Sequence, residues 1–166
     1  MQALDMTVDL LSSLPADRLV QIQRPYFESS LGKHIRHVLD HYICFQRDFS
    51  KGLIDYDQRQ RDCQLEKDKD YMLSRIKQLR QFLLSITSSS QVDQPLQVLM
   101  CNDVDTPSGD TTESTLGREL QFLQGHSVHH FALMAAMLRF SGDNVDHDFG
   151  IAPSTLAHEK TVKESA

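Results

Sequence analysis

The chain has 166 residues, a net charge of −6 with histidine neutral, 40% hydrophobic residues and 24% charged residues. This length and composition are typical of one soluble globular domain, and they exclude a collagen-like chain, a long repeat array and a disordered chain. The acidic balance and the lack of a lysine- and arginine-rich run argue against nucleic-acid binding. No apolar run reaches the ~20 residues that a membrane span needs.

The cysteines are odd in number and widely spaced: Cys44, Cys63 and Cys101. This pattern is typical of a reduced protein rather than of a secreted disulfide scaffold. The first twelve residues carry Asp5 and Asp9 but no basic residue, so they do not resemble a signal peptide. We therefore expect a cytoplasmic protein.

The predicted elements begin with two short helices. The first has an apolar stripe formed by Leu4, Val8 and Leu11. A second short helix can begin at Pro15 and ends before Pro25, because proline is tolerated in a first helical turn but not inside a helix.

Two longer helices follow. The first is predicted from an N-cap at Ser29 or Ser30 to a stop at Gly52, because apolar residues repeat every three or four positions between them. Its stripe comprises Leu31, Ile35, Val38, Tyr42, Phe45 and Phe49. The second is predicted from a cap at Asp57 to the serine-rich turn at residues 88–90, with a stripe formed by Leu65, Met72, Ile76, Leu79, Leu83 and Ile86.

Residues 91–113 are predicted to be largely irregular. Leu96, Val98 and Met100 stand at alternate positions, which favours a short strand within residues 95–104. Residues 105–112 are predicted to form a polar loop. A connection of this length often covers a functional site, although a mobile loop is the alternative.

The last long helix is predicted to begin after a cap at Ser114 or Thr115 and to end near Phe140, because Gly142 follows. Three long helices and a shorter opening helix can enclose one core, which predicts an all-α four-helix bundle with a long loop or short strand before the last helix. We expect a single domain over residues 1–156 and a frayed tail at residues 157–166.

Histidines are concentrated on two of the long helices, at His34, His37, His41, His126 and His130. His126 and His130 are four residues apart, so their imidazoles lie on one helix face and can hold a single metal ion. Structural, hydrogen-bonded histidines are the alternative. The metalloprotease pattern H-E-x-x-H is absent, because Ser127 follows His126. A helical projection places His34 and His41 nearer to the apolar stripe than His37, and so nominates either as a third ligand.

Charged residues near these histidines are candidates for supporting roles. Glu119 lies on the same helix face as His126 and is a candidate acceptor for its imidazole. Asp40 is a candidate for the same role or for proton transfer. The carboxylates of a small substrate can be held by arginines, for which the candidates are Arg36, Arg59 and Arg61. A solvated segment with local ion pairs is the alternative for the last two.

Two short segments, SLGKHIRH at residues 30–37 and GHSVHH at residues 125–130, resemble the histidine motifs of the DinB-like (damage-inducible protein B) superfamily. Their order, one early histidine and a late H-x-x-x-H pair, is also that of the superfamily, and the resemblance spans roughly residues 5–156. It implies an up-down-down-up bundle with a three-histidine metal site at one end. The ligands would be His37, His126 and His130, with His41 and then His34 in reserve.

The resemblance also implies a cofactor and a range of functions. The cofactor would be a divalent transition metal, with zinc or nickel ahead of iron. The superfamily includes thiol-dependent transferases, which implies a metal-dependent transferase or hydrolase acting on a small molecule such as a low-molecular-weight thiol, in a homodimer. A non-catalytic metal-binding or dimerising stress-response protein is the alternative, and a helical interaction module without metal is a third hypothesis.

Overall fold

The computed structural model describes residues 2–89, 91–101, 103, 105 and 109–165. This part of the chain forms five α-helices: α1 (Gln2–Ser13), α2 (Leu31–Asp48), α3 (Lys69–Ser89), α4 (Leu116–Phe140) and α5 (Pro153–Glu164). Short 3₁₀ turns lie at Ala16–Leu19, Phe49–Lys51 and Cys63–Glu66. None of the described helices combines the length and apolar character needed to cross a membrane.

A three-stranded mixed sheet accompanies the helices, so the prediction of an all-α four-helix bundle is wrong. The strands are β1 (Leu53–Asp55), β2 (Pro95–Met100) and β3 (Asp110–Thr115), in that order across the sheet. β1 pairs with β2 in parallel, with Leu53 opposite Gln97, and β2 pairs with β3 antiparallel, with Leu96 opposite Ser114. The strand predicted within residues 95–104 is therefore present, and it belongs to a sheet rather than to an isolated loop.

The sheet arises partly from residues predicted to be loop. Residues 110–112 of the predicted polar loop form the first half of β3, while residues 106–108 of that loop and residues 102 and 104 of the predicted strand segment lie outside the described residues. The first amides of α4 donate to carbonyls of the preceding segment, Leu116 to Gln94 at 2.9 Å and Gly117 to Val92 at 2.7 Å. These hydrogen bonds satisfy the free N–H groups of a helix start and fix α4 against the sheet.

Side-chain caps set the starts of α2 and α4 as predicted. The hydroxyl of Ser30 accepts from the backbone N–H of Lys33 at 3.3 Å, and the hydroxyl of Thr115 accepts from that of Arg118 at 3.2 Å. Each bond satisfies one of the free amides in a first helical turn. Gly52 has φ 72° and ends the turn after α2, where a left-handed backbone favours glycine.

The third helix begins later than predicted. It starts at Lys69 rather than after Asp57, and the side chain of Asp68 accepts from the amide of Tyr71 at 2.9 Å. Asp57 instead accepts a hydrogen bond from the backbone N–H of Cys101, which joins the segment after β1 to the end of β2. α3 ends at Ser89, and Ser90 of the predicted serine-rich turn lies outside the described residues.

The core lies where α2 packs against α4 and α1 packs against α3. Its largest fully buried side chains include Phe45, Tyr56 and Phe131. Gly32 lets the first turn of α2 approach the 3₁₀ turn Cys63–Glu66 closely, because a Cβ at this position would lie 1.8 Å from the carbonyl oxygen of Glu66. α5 has no buried residue, and the extent of the domain and the fraying of its tail stay predictions.

Candidate metal centre

Three imidazoles meet where α2 faces α4. His37 comes from α2, and His126 and His130 come from successive turns of α4. One nitrogen of each ring can be chosen so that all three lie within 4.8 Å of one another. The ring centroids are 5.0 Å apart for His37 and His126, 4.6 Å for His37 and His130, and 4.7 Å for His126 and His130. This group can hold a metal ion, as the resemblance implied.

The chemistry of the imidazole nitrogens is suited to a bound metal ion. Nε2 of His126 is buried and has no hydrogen-bond partner among the described residues. A buried polar atom without a partner costs about 1–3 kcal/mol, and a cation bound by its lone pair would remove that cost. Imidazole nitrogen is also a ligand that zinc, nickel, iron and copper accept.

The environment keeps these imidazoles neutral. Burial, with a smaller contribution from the neighbouring imidazoles, lowers the pKa of His37 and of His126 to about 3. Burial and the nearby His34 lower the pKa of His130 to about 4. The rings are therefore unprotonated near neutral pH, which is the form that binds metal.

The two reserve histidines flank the group without joining it. Nδ1 of His34 lies 3.0 Å from Nδ1 of His130, and the rings are 5.3 Å apart. His41 is only 4% exposed and its Nδ1 donates to the backbone carbonyl of His37 at 2.8 Å. Its ring lies 4.1 Å from that of His126. The helical projection placed His41 inward correctly, but the described residues whose nitrogens converge are His37, His126 and His130.

The two candidate carboxylates are engaged elsewhere. Glu119 is 5% exposed and accepts from the hydroxyl of Tyr56 at 2.8 Å and from that of Ser114 at 2.5 Å, rather than from His126. Asp40 is buried and accepts from Arg36 at 2.7 Å. Neither carboxylate has a hydrogen bond to a metal-site imidazole among those of the described residues.

The three candidate arginines differ in their hydrogen-bond partners and in their exposure. The guanidinium of Arg36 bonds Glu66 at 2.8 Å in addition to Asp40, so two carboxylates hold it. Arg59 is half-buried and donates to the backbone carbonyl of Tyr56 at 2.7 Å. Its charge contributes to lowering the pKa of His37 and of His41, with burial the larger cause for each. Arg61 is exposed.

Sequence reasoning missed Tyr56 and Phe122. The fully buried ring of Tyr56 stacks on His41 at 5.6 Å, and Phe122 lies 5.7 Å from His126. Together with Glu119 they line a cavity of about 360 Å³, whose lining does not include the three imidazoles. Tyr56 follows a strand of only three residues, which is too short for hydrophobic alternation to have identified this tyrosine as inward-facing.

Known proteins resemble this chain over most of its length. The family model described as DinB family matches residues 1–151. FK506-binding protein 5 of Rhizopus delemar is 32% identical over 108 residues, which are 65% of this chain. The chain spans 28% of the length of that relative. No solved structure matches this chain.

Proposed function

This chain belongs to the DinB family, and from that membership and its three converging imidazoles we propose that it binds a divalent transition metal and uses it to activate a small molecule. The proposed ligands are His37, His126 and His130. The observation that carries the proposal is the buried Nε2 of His126, which has no partner in the described part of the chain although it belongs to a group of mutually close, neutral imidazoles.

Three protein ligands leave coordination positions for water or substrate, as catalytic rather than structural metal sites do. A bound divalent cation would acidify a coordinated water or thiol and so supply a nucleophile near neutral pH. Within the described residues, His34 and His41 stay outside the converging group, and Glu119 and Asp40 are held by other partners. These contacts support a site that is open to a small molecule.

The surroundings of the imidazoles support an anionic substrate such as a low-molecular-weight thiol that carries a carboxylate. Arg59 is the best placed cation, because its charge helps to lower the pKa of His37 and of His41 and, among the described residues, its guanidinium is hydrogen-bonded to the backbone carbonyl of Tyr56 rather than to a carboxylate. The aromatic rings of Tyr56 and Phe122, which lie against His41 and His126, offer an apolar surface for the rest of a small molecule. We propose thiol transfer or hydrolysis as the reaction class.

Zinc or nickel is the proposed metal, with iron as a further candidate, since imidazole ligands suit all three and availability decides among them. The cytoplasmic location stays a prediction.

A non-catalytic, dimerising metal protein is the second candidate. Tyr26 and Phe140 are 68% and 55% exposed, and their ring centroids are 4.6 Å apart. Exposed aromatic rings are enriched where proteins associate, so this pair supports a homodimer surface.

Metal analysis and turnover assays test the proposal together. Protein purified without a histidine tag should contain about one divalent metal per chain, and loaded protein should turn over a member of a panel of thiols, esters and amides. Full metal occupancy without turnover on any substrate would favour the non-catalytic candidate. Absence of metal binding, measured by titration of metal-free protein, would contradict both.

A further inference from the structure

His34 forms a direct contact with one proposed ligand. Its Nδ1 lies 3.0 Å from Nδ1 of His130, a hydrogen-bond distance between two nitrogens of the same kind. His34 is half-buried and belongs to the first turns of α2, whereas His130 belongs to α4. The contact therefore joins the two helices that carry the metal-site imidazoles.

Only one arrangement of the proton in this contact is compatible with metal binding through Nε2 of His130. A neutral imidazole carries one N–H, so one ring must donate and the other must accept. If His34 donates, His130 holds its own proton on Nε2 and that nitrogen has no lone pair for a metal. If His130 donates through Nδ1, its Nε2 keeps the lone pair.

We propose that His34 is a positioning residue that accepts the Nδ1–H of His130 and so directs the Nε2 lone pair of His130 to the metal. The inference rests on the proposed metal site. It extends the usual arrangement, in which the second nitrogen of a ligand imidazole donates to an acceptor that fixes the ring and its tautomer.

The acceptor is uncharged, which distinguishes this site from those in which a carboxylate holds the ligand histidine. The two candidate carboxylates are bound elsewhere, Glu119 by Tyr56 and Ser114 and Asp40 by Arg36. An imidazole acceptor adds no negative charge, so a bound cation would keep its full charge and attract anionic ligands more strongly. His34 would therefore orient His130 without neutralising the charge of a bound cation.

Zinc affinity of three variants tests the inference. His34→Leu removes the acceptor, and we expect its zinc affinity to fall about 10- to 100-fold relative to wild type. His34→Gln keeps an oxygen that can accept the Nδ1–H, and its affinity should stay within about threefold of wild type, as a rescue by a conservative residue. His147→Leu, at an exposed histidine elsewhere, is the matched control and should leave the affinity unchanged.

A spectroscopic readout separates positioning from a loss of structure. In the zinc-loaded wild type, ¹⁵N NMR should show His130 protonated at Nδ1 and metal-bound at Nε2, with a slowly exchanging Nδ1 proton. In His34→Leu that proton should exchange faster. Thermal unfolding of the metal-free variants checks that each still folds.

The outcomes distinguish this inference from the proposed function. If wild type binds no zinc, the metal site itself is refuted. If wild type binds zinc and His34→Leu binds it equally well, only the positioning role is overturned. An equal loss in His34→Gln and His34→Leu would also overturn it, because it would make His34 a ligand rather than an acceptor.

Discussion

Two buried polar groups lie side by side in this protein and differ in how completely they are satisfied. In the first, Glu119 accepts hydrogen bonds on both carboxylate oxygens, from Tyr56 and Ser114. In the second, a buried nitrogen of His126 has no hydrogen-bond partner within the residues that the structure describes. The ring of Phe122 lies between them, with its centroid 5.1 Å from that of Tyr56 and 5.7 Å from that of His126.

The difference indicates what each group does. A polar network whose members all have partners stabilises the native state and needs no further ligand. A buried nitrogen without a partner costs free energy in the free protein, and that cost is recovered when a ligand binds. We therefore expect mutations in the first group to change stability and mutations in the second to change metal binding.

The largest expected effect is on metal binding by His126→Ala. Removing one of three ligands should weaken zinc binding by at least about 100-fold, whereas the free energy of unfolding of the metal-free protein should change by no more than about 1 kcal/mol, because the lost nitrogen had no hydrogen bond. Competition with a chelating indicator and urea unfolding measure the two quantities. The control is His129→Ala, at an exposed histidine of the same helix, and equal loss in both variants would contradict the assignment.

Tyr56→Phe should show the opposite pattern. It leaves a buried oxygen of Glu119 without its donor, which should lower the free energy of unfolding by about 1–3 kcal/mol. Zinc affinity of the folded protein should stay within about threefold of wild type, since Tyr56 is not one of the converging residues. Urea unfolding of metal-free protein and zinc titration test this. A large loss of zinc affinity with unchanged stability would remove the distinction between the two groups.

Acid should destabilise the metal-free protein through the imidazoles. The pKa values of His37 and His126 are about 3 in the folded protein, well below the ordinary 6.5. The unfolded chain therefore binds more protons between these values, so the free energy of unfolding rises with pH from about 3 to about 6.5 and is lost as pH falls through that range. His126→Gln should flatten this dependence between pH 4 and 6. An unchanged slope would show that His126 is not shielded from protonation.

The smallest expected effect concerns Arg59. Arg59→Gln should weaken the binding of a carboxylate-bearing thiol to metal-loaded protein by up to about fivefold, because a partly exposed charge contributes at most about 1 kcal/mol. The exposed Arg61 offers the matched variant Arg61→Gln, which should leave affinity unchanged. Isothermal titration calorimetry measures both. Equal affinity in the two variants would remove Arg59 from the proposed substrate site.

The sequence predicted the helices better than the sheet. Helix-spaced apolar stripes and the caps at Ser30 and Thr115 located most of α2 and α4. β3 could not be predicted by hydrophobic alternation, because its sequence DTTEST contains no apolar residue and most of its side chains are exposed. β1 has only three residues, too few for periodicity to separate a strand from a turn. Both strands depend on β2, which supplies their hydrogen-bond partners.

The metal-site histidines show what a helical projection can and cannot predict. The projection measures how directly a residue points to the core, and it correctly placed the buried His41 there. A metal ligand needs a position at the boundary between core and cavity, where His37 is half-buried. The resemblance therefore predicted His37 as a ligand, whereas the projection favoured His34 or His41. The order of the motifs relates to function, which the direction of a side chain toward the core does not measure.

The parallel pairing of β1 with β2 has a consequence for how the protein folds. The whole of α3 lies between the two strands in sequence. Their pairing therefore closes a long loop, which costs conformational entropy and is slow. α2 and α4 pack against each other directly. Their contact closes a longer loop than the pairing of β1 with β2 does, because residues 49–115, and with them the whole sheet, lie between the two helices. We therefore expect the strands beside Tyr56 to pair first and the imidazoles to come together later in folding.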